Sequence, residues 1–159
     1  KIIIKLILNL KLKNDTFVHR DFHVSNLMIK KGKIGVIDNQ DALIGNRAYD
    51  LASLIDDARI KTTQKERKKI FNEYIKLNRN INIFDFSNDF KILSVLRNLK
   101  IIGIFTRLFI RDHKREYLKL IPNTWKLIEH RVKDEKVFTE LKSLLDKNFS
   151  KKIRNKKWK

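Results

Sequence analysis

FVHRDFHVSNLMIKKGKIGVIDNQDALIGNRAYD, residues 17–50, is the stretch from which the fold can be read. Two short apolar-rich runs, Leu27 to Lys30 and Lys33 to Ile37, flank Lys31-Gly32. A two-residue turn between such runs predicts a β-hairpin. Before it stands His19-Arg20-Asp21, with Asn26 five positions after Asp21. After it Asp38 closes the second strand, twelve positions beyond Asn26. The hairpin therefore carries Asp38 back toward the loop that holds Asp21 and Asn26, giving an acidic pocket with two sides.

These residue types suit phosphoryl transfer. A carboxylate beside an attacking hydroxyl orients it and accepts its proton, a task for Asp21. Oxygen ligands on a divalent cation neutralise phosphate charge, a task for the Asn26 amide oxygen and the Asp38 carboxylate. Magnesium needs few protein ligands, since phosphate oxygens and water supply the rest. The string from His19 to Asn26 fits H-R-D-x-x-x-x-N, the kinase catalytic-loop pattern. A lone H-R-D triplet means little. The same triplet with its Asn, ahead of a hairpin ending in apolar-Asp, is far more specific.

Outward from this core the chain reads as helices. Residues 2–12 are expected to be helical despite β-branched Ile, and Thr16 to Val18 a short extended lead-in. Gly45-Asn46 reads as a chain break. Tyr49 to Arg59 and Lys65 to Leu77 have helical apolar faces, the second formed by Ile70, Phe71, Tyr74 and Leu77. Asp85 or Ser87 offers a cap for a long helix to about Ile110 that is apolar nearly all round, as in the centre of a bundle. Tyr117 to Ile121, Trp125 to Val132 and Val137 to Leu145 give shorter helices. The expected fold class is α+β, predominantly α-helical, with one small β-hairpin.

Composition agrees with this. The 159 residues include four Gly and one Pro, too few for a loop-rich or all-β chain. There is no Cys, which excludes disulfides and thiolate metal sites. The apolar run near the start is too short to span a bilayer and has no signal-peptide cleavage pattern. The formal net charge of +19 is spread along the chain without an aromatic-and-basic stripe, and reads as compositional drift rather than a nucleic-acid surface. The exception is the run Lys151 to Lys159, taken as a frayed solvated end, with contact to an anionic partner as the alternative.

The string FVHRDFHVSNLMIKKGKIGVIDNQDALIGNRAYDLASLIDDAR strongly resembles the aminoglycoside phosphotransferase and choline kinase superfamily. IDNQDALIG followed by YDLASL, with RNLKIIGIFTRLFIRDHKREYLKLIP further on, resembles most the bacterial N-acetylmuramate/N-acetylglucosamine anomeric kinases of cell-wall recycling. The likeness runs from about Phe17 to Ile121. It implies the C-terminal lobe of a protein-kinase-like fold over residues 1–148, with a catalytic segment at 17–41, a helical subdomain at 48–148, and a basic tail at 149–159. It implies ATP and Mg²⁺ as cofactors, a small-molecule hydroxyl acceptor, an amino sugar above all, and a cytoplasmic setting without membrane or nucleic-acid partners.

Residue by residue, the resemblance makes Asp21 the catalytic base and Asn26 and Asp38 the Mg²⁺ ligands. His19 packs and shapes the loop, and Asp50 resembles the Asp that hydrogen-bonds the catalytic-loop backbone. Asp41 either touches the sugar or pairs with an Arg such as Arg47. His23 either approaches the acceptor or fills the loop, the latter being favoured. Arg97, Arg107, Arg111 and Asp112 read as ion pairs between helices, although an Arg fork would suit a lactyl carboxylate or a phosphate. Trp125 reads as core.

Two departures stand out. Asn39 occupies a position where the family has an aromatic. A Gly-rich phosphate loop, a strand Lys and its helix Glu are missing; they are expected in an N-lobe preceding Lys1, without which this chain would be nearly inactive. Aminoglycoside or choline-like acceptors, and a non-catalytic relic lobe that acts as a binding module, are the rival expectations.

Overall fold

The computed structural model describes residues 1–158. The chain forms two compact units, one from Leu10 to Leu93 and one from residues 1–9 together with Ser94 onward. It is mostly helical, with two small antiparallel sheets.

In the first unit, strand β1 (Asn14–Val18) is followed by a hairpin of β2 (Leu27–Lys30) and β3 (Lys33–Val36), and then by β4 (Leu43–Asn46). The hairpin register pairs Leu27 with Val36 and Lys30 with Lys33. Lys31 (φ 48) and Gly32 (φ 74) are both left-handed, as a tight two-residue hairpin turn requires. β1 pairs with β4, Phe17 opposite Ile44 and Val18 opposite Leu43. This second sheet departs from the sequence expectation, which took Gly45-Asn46 as a break. Gly45 lies opposite Thr16 in this pairing, where a Cβ would be crowded, 3.0 Å from Leu43 Cδ1 and 3.3 Å from Val18 Cγ2.

Helices α2 (Ala48–Ile55), α3 (Gln64–Leu77) and the start of α4 (Ile83–Asp112) close this unit. Ala48, Leu51, Ala52 and Ile55 fall on one face of α2 at helical spacing. They pack with Phe86, Phe90 and Leu93 of α4. From α3, Tyr74 stacks on Phe86 at 5.1 Å and Phe71 meets Phe90 edge-on at 5.1 Å. Ile75 joins the core, whereas Leu77, expected on that face, is 80% exposed. The cap of α4 is Asn82 rather than Asp85 or Ser87: its Oδ1 accepts from the amides of Phe84 (3.0 Å) and Asp85 (3.2 Å). Two turns into α4, Asp89 is fully buried. Its carboxylate accepts from Lys11 N (2.8 Å), Leu12 N (2.9 Å) and Asn46 Nδ2 (2.7 Å).

The α3 cap gives a direct test. Thr63 Oγ1 accepts from Glu66 N, and Glu66 returns a bond to Thr63 N (2.7 Å), a complete capping box. Thr63→Ala is expected to lower stability by about 1 kcal/mol at neutral pH in urea denaturation. Hydrogen bonds from Thr63 hold the Glu66 carboxyl below its usual pKa. A depressed folded pKa gives stability that is present above the unfolded value and is lost as pH falls through the folded one. The Thr63→Ala penalty should therefore shrink in acid, and a penalty independent of pH would contradict the box.

The second unit holds α1 (Ile2–Leu8), the remainder of α4, α5 (Ile121–Val132), α6 (Thr139–Asn148) and the one-turn α7 (Lys151–Arg154). Leu6, Trp125, Ile128, Phe138 and Leu141 are buried. Within the expected frayed end, residues 151–154 are docked instead, and Lys159 lies outside the described residues. Ser150 caps α7, and Arg154 is 5% exposed. Its guanidinium donates to Glu129 Oε1 (3.0 Å) and Asp146 Oδ1 (2.8 Å) and lies over the Trp125 ring. Arg111 pairs with its own neighbour Asp112 (2.7 and 2.9 Å), a local exposed pair rather than an inter-helix one.

Candidate active site

The loop between β1 and β2 is held from below by one carboxylate. Asp50, in the first turn of α2, accepts from His19 N (2.7 Å) and Arg20 N (3.0 Å). Charge-assisted bonds of this kind are roughly twice as strong as neutral ones. They fix Arg20 in a left-handed conformation (φ 72), which a non-glycine residue adopts only where its surroundings insist. The backbone then turns tightly. Asp21 O accepts from His23 N (2.9 Å), and His23 O accepts from Asn26 N (2.9 Å). Asp21 itself is exposed, while His23 and Asn26 are buried.

Asn26 is fixed by its own side chain. Its Nδ2 donates to Asp21 O at 3.0 Å. That bond uses the nitrogen and leaves the amide oxygen for another partner. The hairpin then ties the far side to the loop. Ile37 N donates to Asn26 O (3.1 Å), extending the β2–β3 ladder by one step. His19 Nε2 donates to Ile37 O (2.9 Å). A carbonyl can only accept, so the His19 proton sits on Nε2. Asp38 follows directly. It too is left-handed (φ 69) and exposed, and its Oδ1 accepts from Gln40 Nε2 at 2.7 Å.

Asp50, His19, Asp21, Asn26 and the backbone bearing Asp38 are thus joined by one chain of hydrogen bonds. Asp41 is exposed, and its carbonyl accepts from the Arg20 guanidinium (3.2 Å). Arg47 does not pair with Asp41; it binds Asp15 (3.1 Å), which holds the Asp15 carboxyl below its usual pKa. Arg97 is buried and Arg107 exposed. Sequence reasoning missed the Arg20 and Gln40 contacts and the Asp89 clamp. Asp89 carried one signal, a carboxylate among Phe86, Phe90 and Leu93 on an apolar helix face.

Among the described residues no three acidic or His side chains gather into a metal cluster. The donor set nevertheless suits a hard cation bound largely through phosphate and water. Asn26 offers a neutral oxygen and Asp38 a charged one, and the Gln40 bond leaves Asp38 Oδ2 open. Asn26 is bonded to Ile37, the residue that precedes Asp38. Among the described residues no helix is long and apolar enough to cross a membrane.

The chain belongs to the phosphotransferase enzyme family, whose profile matches residues 3–82, half of its length. Among curated proteins it is similar to several that bear one name. The N-acetylmuramate/N-acetylglucosamine kinase of Neisseria meningitidis is 42% identical over 112 residues, 67% of this chain and 34% of that protein. Its namesake from Pseudomonas aeruginosa is 36% identical over 135 residues, 81% of this chain and 40% of that protein. That of Caulobacter vibrioides is 30% identical over 136 residues, 82% of this chain and 37% of that protein. The chain thus spans between 34% and 40% of the length of these relatives.

Proposed function

We propose that this chain carries the catalytic loop of a cytoplasmic kinase that phosphorylates a small-molecule hydroxyl, with the anomeric hydroxyl of N-acetylmuramate or N-acetylglucosamine as acceptor. The observation that carries the proposal is the hydrogen-bonded unit linking Asp50, His19, Asp21 and Asn26 to the base of Asp38. The relatives' shared name supports the amino sugar.

Asp21 orients the hydroxyl and takes its proton as the oxygen attacks the γ-phosphorus of ATP, whose bond to the β,γ-bridging oxygen breaks so that ADP leaves. Asn26 and Asp38 would hold Mg²⁺ through oxygen. ATP supplies the phosphoryl group, and the cation neutralises its charge when both are bound. His19 and Asp50 touch no reacting atom; they position the loop. Residues 1–148 would form the kinase-like C-terminal lobe. Met28, Ile29 and Ile34 on the hairpin are 57%, 79% and 70% exposed. An isolated two-stranded ribbon is marginal in water, which supports a nucleotide and a further lobe covering it.

The test is an ATP-consumption assay with Mg²⁺ on the longest reading frame containing this chain, offered N-acetylmuramate, N-acetylglucosamine, an aminoglycoside and choline. Turnover with the amino sugars is expected. Turnover with another acceptor alone would overturn the substrate, and a folded protein that neither binds ATP nor turns over would overturn the kinase assignment.

A further inference from the structure

The C-terminal end is not spent on the phosphotransfer site, and its chemistry is distinctive. From Leu141 to Trp158 the one acidic residue is Asp146. Asp146 and Glu129 are both bonded to Arg154. The one arginine of this segment is therefore neutralised internally, and it fastens α7 to the unit. Lys147, Lys151, Lys152, Lys156 and Lys157 are all exposed. In a one-turn helix a residue two positions before an inward one points about 200° away, so buried Arg154 turns Lys152 outward. Lys133 and Lys142 add charge beside Lys151, around a recess of about 410 Å³ that also contains Arg154.

Apolar side chains are interleaved with these lysines. Leu144, Phe149 and Ile153 are 46%, 40% and 51% exposed. A solvated basic tail has no use for them. Nucleic-acid surfaces favour Arg forks and open aromatic platforms; here the Arg is consumed internally, Phe149 packs on the Trp125 ring (5.2 Å), and half-buried Trp158 is covered by Lys156 Nζ (4.1 Å). Lysine point charges interleaved along the chain with exposed aliphatic groups match an anionic bilayer surface, where apolar groups enter the headgroup–acyl boundary and lysine stems snorkel.

We propose that the α6–α7 end of this chain docks on the surface of an anionic membrane, without crossing it. This proposal goes beyond the sequence expectation of no membrane partner.

The experiment is co-sedimentation of the full chain with phosphatidylcholine vesicles, with and without about 30% phosphatidylglycerol, at about 0.1 M salt. Binding is expected only with the anionic lipid. A combined Lys152→Glu, Lys156→Glu and Lys157→Glu variant should weaken partition at least about a hundredfold, at roughly fivefold per lysine. Ile153→Asp should weaken it about tenfold, more than the roughly fivefold expected from its one added negative charge. Lys65→Glu, Lys68→Glu and Lys76→Glu together, on α3, carry the same charge change and should leave partition within about threefold. Circular dichroism checks that each variant keeps its helices. Equal binding to neutral vesicles, equal losses in both triple variants, an inert Ile153→Asp, or displacement from the vesicles by a DNA duplex would each overturn the proposal.

Discussion

Asp21→Asn is expected to lower kcat for sugar phosphorylation by about 10²–10⁴-fold, the usual contribution of a positioned general base. The KM for ATP should change little, because Asp21 is assigned to the acceptor hydroxyl and not to the nucleotide. The substitution is nearly isosteric. The loop is held by the Asp21 carbonyl, which accepts from His23 N and Asn26 Nδ2, and not by its carboxylate. Fold and loop shape should therefore survive, which separates loss of chemistry from loss of structure. Asp38→Asn should act differently. It would weaken the proposed charged cation ligand, so part of its defect should recover at raised Mg²⁺, whereas that of Asp21→Asn should not. Combining the two should cost less than the product of the single losses, since groups that act as a unit are not additive. Steady-state kinetics on the longest reading frame containing this chain decides the matter. An Asp21→Asn enzyme within threefold or so of the parent would remove Asp21 from the mechanism.

The candidate site was legible in the sequence because its logic is local. Asp21, Asn26 and Asp38 lie within one loop-and-hairpin segment whose turn residues, Lys31-Gly32, set the register. Helix positions were legible for a similar reason: the apolar spacing of α2, α3 and α4 reports the buried face of each. The missed features depend on partners far along the chain. β4 pairs with β1 across more than twenty residues, and Gly45 signalled a break because its close approach to Val18 shows only in three dimensions. The docking of Arg154 looked like fraying because a basic run has no periodicity, and its carboxylate partner Glu129 lies on another helix. Pairing of Arg47 with nearby Asp41 is one of two readings the sequence leaves open, yet β1 brings Asp15 to Arg47. Sequence proximity predicts a salt bridge poorly when a strand pairing intervenes.

Asp89→Ala should be the most destabilising substitution of a polar side chain in the Leu10–Leu93 unit, at about 3–5 kcal/mol in urea denaturation of the 159-residue chain. The carboxylate is fully buried and accepts from two consecutive backbone amides, Lys11 and Leu12, and from the Asn46 side chain. Truncation strands these donors, and each unsatisfied buried group costs about 1–3 kcal/mol. Rehydration at the partly exposed 11–12 segment keeps the sum below the upper limit. Asp89→Asn should cost less, since one oxygen still accepts, but it cannot be neutral, because its NH₂ then faces a donor. The consequence reaches the site. Asn46 also accepts from Ala48 N at the start of α2, and α2 carries Asp50, which holds His19 and Arg20. Loss of Asp89 should therefore loosen the catalytic loop as well as the core. Phe86→Leu gives the comparison: it removes part of a fully buried ring stacked on Tyr74, yet leaves the Asp89–Asn46–α2 linkage intact. Faster amide exchange at His19 and Arg20 in Asp89→Asn than in Phe86→Leu, at matched global stability, is the expected signature. Equal exchange in the two would mean that Asp89 serves the core alone.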